Sequence, residues 1–260
     1  MHVERRLALA AIAALSVTSS ASSASAQAAT PAPSAPPDRF RLVLNGSFWP
    51  TKPSFSDVRT FPEYAETTTI RTSYQAGTAF GPDVGMQVSL FRGLGLLVGY
   101  SYSKRDVTGH VDVSRPHPLY LTQPRSASAE ISGYGLSERG LYVDAAYARS
   151  AGHIDWALFA GVTLFQVEAD LLQRPTYNDV YPYDELTITS TPSTTVKEDP
   201  TGFNVGGRLD YRFGGSQRFG VGVMVLYSKA SVTLKAEPAA AGAAYDAGGL
   251  EVGAGVRVYF

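Results

Sequence analysis

The 260-residue chain contains no cysteine. It can therefore build neither a disulfide framework nor a thiolate metal site, although an oxidising compartment stays compatible with it. Charge is scarce as well: Asp, Glu, Lys and Arg make up 17% of residues, and the formal net charge is −1. Soluble domains carry about a quarter charged residues, and a near-neutral balance gives no electrostatic hold on nucleic acid. Beyond the N-terminus no apolar run approaches the roughly 20 residues of a transmembrane helix. Helical periodicity is missing over any useful length. Gly93, Gly95 and Gly99 precede no helical pattern, so they read as turn and strand glycines rather than a phosphate cradle. No spacing of His, Asp or Glu matches a metal-ligand set. No cofactor is expected.

The N-terminus carries an export pattern. Arg5 and Arg6 are followed by an apolar stretch from Leu7 to Val17, too short to span a bilayer as a helix. Ala24-Ser25-Ala26 then offers a small-x-small cleavage site before Gln27. Residues 1–26 are therefore expected to be a signal peptide. Residues 27–38 are rich in Ala and Pro and read as an extended leader. The remaining 39–260 make one domain.

That domain is organised by alternation. Successive side chains of a strand point to opposite faces, and eight segments place apolar residues on one face only. They are Arg41–Trp49, Asp83–Phe91, Leu96–Ser103, Gly140–Arg149, Ile154–Gln166, Gly202–Phe213, Phe219–Ser228 and Leu250–Phe260. In Gly202–Phe213, for example, Phe203, Val205, Leu209, Tyr211 and Phe213 alternate with Asn204, Gly206, Arg208, Asp210 and Arg212. Ile154–Gln166 has apolar residues on both faces; Trp156, Leu158, Val162 and Leu164 are assigned outward. Short turns fall near 92–95, 150–153 and 213–217, and long connections fill about 50–82, 104–139, 168–200 and 229–248. Glu66–Ser73 and Glu185–Thr195 are β-prone. They would extend the hairpins, or supply two further strands and make ten.

Each segment is about as long as a tilted strand needs to cross hydrocarbon. Aromatics on the apolar face gather toward the strand ends: Phe48, Tyr100, Tyr102, Tyr147, Trp156, Phe213, Phe219, Tyr227 and Phe260. In lipid only helices and closed barrels satisfy the backbone, and helices are missing. A soluble sandwich has the same alternation, but the export pattern, the aromatic belts and the terminal Phe260 favour a membrane barrel. The fold class expected is all-β: an antiparallel up-and-down transmembrane β-barrel of eight strands with long hairpin loops.

The chain resembles the small eight-stranded outer-membrane barrels of bacteria, the OmpA/OmpX/OmpW-type architecture. The likeness runs over about residues 40–260 and rests on the strand pattern and the last strand. It implies residence in the bacterial outer membrane, with lipopolysaccharide among the surrounding lipids. It also implies that Val256, Val258 and Phe260 are read by the barrel-assembly machinery during insertion. No peptidoglycan-binding domain follows the barrel, so a cell-wall anchor is not expected. A monomer is favoured.

On the polar face, Arg41, Asp144, Arg208, Asp210, Arg212, Glu251 and Arg257 should share one lumen. They would line a selective pore, or pair with one another and fill it. Eight strands leave an interior just wide enough for side chains, and unpaired buried charge is costly, so filling is the preferred reading. The expected role is structural or surface-interacting, with limited solute passage compatible. The alternatives are a transport barrel for small, hydrophobic molecules and a lipid-modifying enzyme at the rim. The last would need His110 or His117 within reach of a serine and an acid, and their spacing does not indicate that. No enzymatic activity is expected. Tyr177, Tyr181 and Tyr183 crowd the third long loop, where they suit partner binding or contact with lipid headgroups.

Overall fold

The structure, a computed structural model, describes residues 39–235 and 242–260. The signal peptide and leader inferred above lie outside the described residues. Thirteen strands follow in order: β1 (Phe40–Trp49), β2 (Ser54–Glu63), β3 (Glu66–Ala76), β4 (Ala79–Phe91), β5 (Leu94–Arg115), β6 (Arg125–Ala151), β7 (Ile154–Leu172), β8 (Thr176–Asn178), β9 (Thr187–Ser190), β10 (Ser193–Glu198), β11 (Thr201–Phe213), β12 (Phe219–Leu234) and β13 (Ala243–Tyr259).

Eight of these close a ring. β1 pairs with β4, β4 with β5, β5 with β6, β6 with β7, β7 with β11, β11 with β12, and β12 with β13. β13 then returns to β1, in register from Arg41↔Tyr259 to Phe48↔Val252. Every pair is antiparallel. The ring contains all eight alternating segments of the sequence, so the barrel has eight staves and not ten. The β-prone stretches in the first and third connections do form strands, but these stand outside the ring.

The barrel has two zones of opposite character. Near the short turns, apolar side chains point outward: Leu158 is 60% exposed, Val223 52% and Val256 48%. A contiguous apolar belt of this kind is not stable against water, and a closed ring that pairs its whole backbone suits lipid. Aromatic pairs mark both margins of the belt. Tyr147 and Trp156 meet near the turns (5.8 Å between ring centroids), and Phe48–Phe80 (4.6 Å) and Phe203–Tyr227 (6.4 Å) meet at the other margin. Along β12, Phe219 and Tyr227 stand about 26 Å apart at about 3.3 Å per residue, which at the tilt of barrel strands spans about 20 Å of the roughly 25 Å apolar band of membrane barrels.

Beyond that second margin the alternation inverts. In β5, Leu96, Val98 and Tyr100 face outward, whereas Val107, Val111 and Val113 are buried inside and Asp106, Thr108 and Asp112 meet solvent. The same inversion occurs between Leu164 and Val167 in β7 and between Tyr227 and Ala230 in β12. The strands continue through it, but the outside medium changes from lipid to water. Burying apolar side chains inside then becomes favourable. The projecting section thus has its own core, in which Ile70, Tyr74, Val111, Ile131, Leu136, Val167, Leu171 and Leu234 pack together. The Tyr74 hydroxyl accepts the Leu172 N–H at 2.9 Å, and burial pushes this phenol up to about 12.

Branching strands build the projecting wall. β4 accompanies β5 as far as the Phe80↔Lys104 pair, and β3 takes over from Val107 to Ser114. On the other side β11 leaves β7 at Leu164, and β10 covers β7 from Val167 to Leu172. β2 and β10 end the path of paired strands. β2 lies beside the upper part of β13, and no ladder joins the two among the described residues.

Candidate functional site

The polar face of the eight staves converges on the lumen, and charged side chains fill its turn-side half. Asp210 on β11 is the hub. Its Oδ1 accepts Arg257 Nε at 2.7 Å, and its Oδ2 accepts Arg41 Nη1 and faces Arg208 Nε, both at 3.2 Å. Arg41 Nη2 also donates to Asp155 at 2.9 Å, and Arg212 Nε reaches the same carboxylate at 2.7 Å. Tyr259 lies between Arg41 and Arg212, whose guanidinium carbons stand 4.7 and 3.9 Å from its ring centroid. Arg208 donates on to Gln87, and Arg257 Nη1 donates to Asn45 at 2.7 Å. Arg257, Asp155 and Asp210 are at most 1% exposed. This web ties together β1, β4, β7, β11 and β13.

A second layer lies above. The Tyr142 hydroxyl donates to Asp83 at 2.8 Å, and Asn45 donates to the other oxygen of Asp83 at 2.8 Å. Asp144 accepts from Asn204 at 2.7 Å. Leu97, Ala146, Phe159, Met224 and Leu226 pack around Tyr142. Tyr142 fits because Gly99 presents no side chain opposite it; a Cβ there would collide with the phenol ring. Higher still, Arg105 pairs with Glu138 at 3.3 Å, and Glu251 projects inward nearby. Above this pair the apolar core of the projecting section begins. Between these layers the side chains leave a cavity of about 10 Å³, room for one water.

The inward charges named from the sequence, Arg41, Asp144, Arg208, Asp210, Arg212, Glu251 and Arg257, all lie in this lumen. The structure joins five of them in one network and leaves Asp144 and Glu251 outside it. Sequence reasoning missed Asp83 and Asp155 as members. Asp155 is the second residue of β7 and Asp83 the fifth of β4, and extending the parity of Gln87 and of Thr163 back along their strands would have placed them inside.

Backbone matching finds the same architecture in solved proteins. The outer membrane protein OprG from Pseudomonas aeruginosa aligns with a TM-score of 0.50 at 12% identity, covering 86% of this chain and 96% of that one. The fold is that of an outer-membrane β-barrel. Neisserial surface protein A overlaps such a barrel at TM-score 0.42 and 11% identity, over 85% of this chain and 97% of its own. Ail, the attachment invasion locus protein of Yersinia pestis, solved with the heparin analogue sucrose octasulfate, gives 0.36 and 8%, over 84% and 99%. No family model and no curated sequence matches the chain.

At the far end of this outer-membrane barrel fold the loops are held together. Arg115 bonds Glu63 at 2.7 Å and Asp179 at 2.6 Å, and Arg125 bonds Asp179 at 2.6 Å, joining three connections. The Arg115 guanidinium holds the Glu63 carboxyl below the usual glutamate range. Tyr177 packs over Arg115, whereas Tyr181 is 75% exposed at the tip. His117 is buried, and its Nδ1 accepts the N–H groups of Leu119 and Tyr120 at 3.1 and 3.2 Å. His110 sits on the outer face of β5 with Nδ1 2.9 Å from Glu130 and Nε2 3.2 Å from Asp112. Glu130 first, and Asp112 with it, hold its pKa above the ordinary histidine value. Neither imidazole bonds a serine hydroxyl among the described residues; Ser73 Oγ reaches only the His110 carbonyl, at 3.4 Å. No cluster of three or more His, Asp or Glu suits a metal among the described residues.

Proposed function

We propose that the chain is a closed-lumen barrel of the bacterial outer membrane, working through its projecting section at the cell surface. The observation that carries this reading is the filling of the lumen by ion pairs at membrane level and by a mainly apolar core beyond. Open aqueous channels belong to wider barrels. In this arrangement the membrane half is an anchor, and the rigid projecting hairpins hold the Tyr181 and Leu119–Leu121 tips away from the bilayer. Lipopolysaccharide surrounds the outer leaflet margin. The assembly machinery reads Val256, Val258 and Phe260 on the closing strand. Swelling of proteoliposomes in small sugars and amino acids tests the reading. Swelling no faster than in protein-free liposomes is expected; rapid size-dependent swelling would overturn it.

A second reading, uptake of small apolar molecules, is favoured by one feature. The projecting interior is mainly apolar beside one buried pair, Arg59 with Asp57, and β2 meets β13 with no ladder between them among the described residues. A cysteine pair introduced across β2 and β13, in a chain that has no cysteine of its own, would lock that seam. Loss of uptake of a small apolar reporter in the locked form supports this role. Unchanged uptake removes it.

A further inference from the structure

The lumen is not electrically balanced. Over the side chains described above, five guanidinium groups (Arg41, Arg105, Arg208, Arg212 and Arg257) face six carboxylates, and the surplus is local. Asp83, Asp144 and Glu251 have no cation within ion-pair distance among the described residues. Asp83 accepts two hydrogen bonds and Asp144 one; Glu251 has Ser47 beside it, and its Oε1 is buried with no hydrogen-bond partner. An isolated buried carboxylate is costly unless something neutralises it.

Glu251 borders a small space within the lumen. The same cavity of about 10 Å³ is lined by Glu138, Thr163, Ser101, Ser103 and Ser228, with the Trp49 indole and apolar side chains between them. Thr163 Oγ1 also has no partner and is buried. Apart from the Trp49 indole nitrogen, the polar side-chain atoms of this lining are oxygens, the donor type hard cations prefer. Glu138 is already compensated by Arg105 at 3.3 Å, which leaves one uncompensated charge at this spot. A monovalent ion restores balance, whereas a divalent ion would reverse the sign. The space holds one water-sized particle, so the lining oxygens stand in for much of the ion's hydration shell.

We propose that this chamber is a binding site for a monovalent alkali cation, held by the Glu251 carboxylate and the Thr163 hydroxyl. The ion locks β7 to β13 at the height where the charged lumen gives way to the apolar core. It is a structural ion, as suits a lumen through which it does not pass.

The test uses the full mature chain refolded in detergent, with the heat-modifiability midpoint measured at constant ionic strength. Exchanging N-methylglucamine chloride for sodium chloride should raise the midpoint by several degrees and saturate. Glu251→Gln and Thr163→Val should each flatten that response. Equal midpoints in the two salts would overturn the proposal. So would a midpoint that rises on acidification without depending on the cation, since a proton on Glu251 then provides the balance. Should both variants fail to fold, wild-type crystals soaked in rubidium decide. An anomalous peak against Glu251 and Thr163 is expected, and peaks only at the surface would sink the site.

Discussion

Arg257 and Asp210 meet across the lumen, Nε to Oδ1 at 2.7 Å, from strands that are not neighbours in the ring. Asp210 thereby gathers three arginines from three staves. Removing it leaves those guanidinium groups buried without their shared anion, and such losses cost about 3–5 kcal/mol. Asp210→Ala should lower unfolding stability in urea, measured in liposomes, by about that amount. A loss below about 1 kcal/mol would show that the network contributes little.

Tyr142 anchors the second layer through one hydrogen bond to a buried carboxylate. Tyr142→Phe keeps the ring over Gly99 and removes only that bond, so it should cost about 1–3 kcal/mol. Gly99→Val should be worse, because the new side chain displaces the ring itself. Chemical denaturation of the two variants checks the order, and equal or reversed effects would contradict the packing described.

The projecting section carries two pH responses of opposite sign. His110 has a raised pKa, so its pairing with Glu130 and Asp112 is fully present below the ordinary histidine value and lost as pH rises through the raised one. Glu63 has a lowered pKa, so its contribution is present above the ordinary glutamate value and lost as pH falls through the lowered one. Titration of the His110 ring by NMR should report a midpoint above about 6.5, moving down in Glu130→Gln. Proteolysis of the loops should accelerate only under strong acid in the wild type, and be faster already at neutral pH in Glu63→Gln. A His110 midpoint unmoved by Glu130→Gln would break the first assignment.

Phe260 closes the ring at its seam. Its N–H donates to the Phe40 carbonyl at 3.0 Å, its own carbonyl accepts the Arg39 N–H at 3.0 Å, and its ring faces outward at 68% exposure. Replacing it by Asp puts a charge on the apolar face at the barrel margin, where the assembly machinery would engage it. Phe260→Asp should reduce the heat-modifiable, membrane-inserted fraction in cells several-fold while leaving refolding of the pure protein nearly intact. Normal insertion would count against a recognition role for this residue.

The membrane zone was legible in the sequence because lipid outside enforces a single rule, apolar outward, over each stave. Even in β7, with Phe159 and Phe165 on the inner face, Leu158, Val162 and Leu164 lie outside. The projecting zone was hidden for the same physical reason. At Tyr102–Val107 the apolar phase shifts without a break in β5, so the pattern looks like the end of a strand when only the outside medium has changed. The lumen was half legible. Parity places Arg208, Asp210 and Arg257 inside, but the pairs they form join residues as far apart as Asn45 and Arg257, and ring closure alone brings those together.

Ion conductance tests the central claim, a lumen closed along its length, most directly. The purified barrel inserted into planar bilayers should show no stable single-channel steps in concentrated potassium chloride, and Asp210→Ala should begin to flicker as its arginines lose their anchor. Steady, ohmic channels in the wild-type protein would contradict the sealed lumen and restore the pore reading.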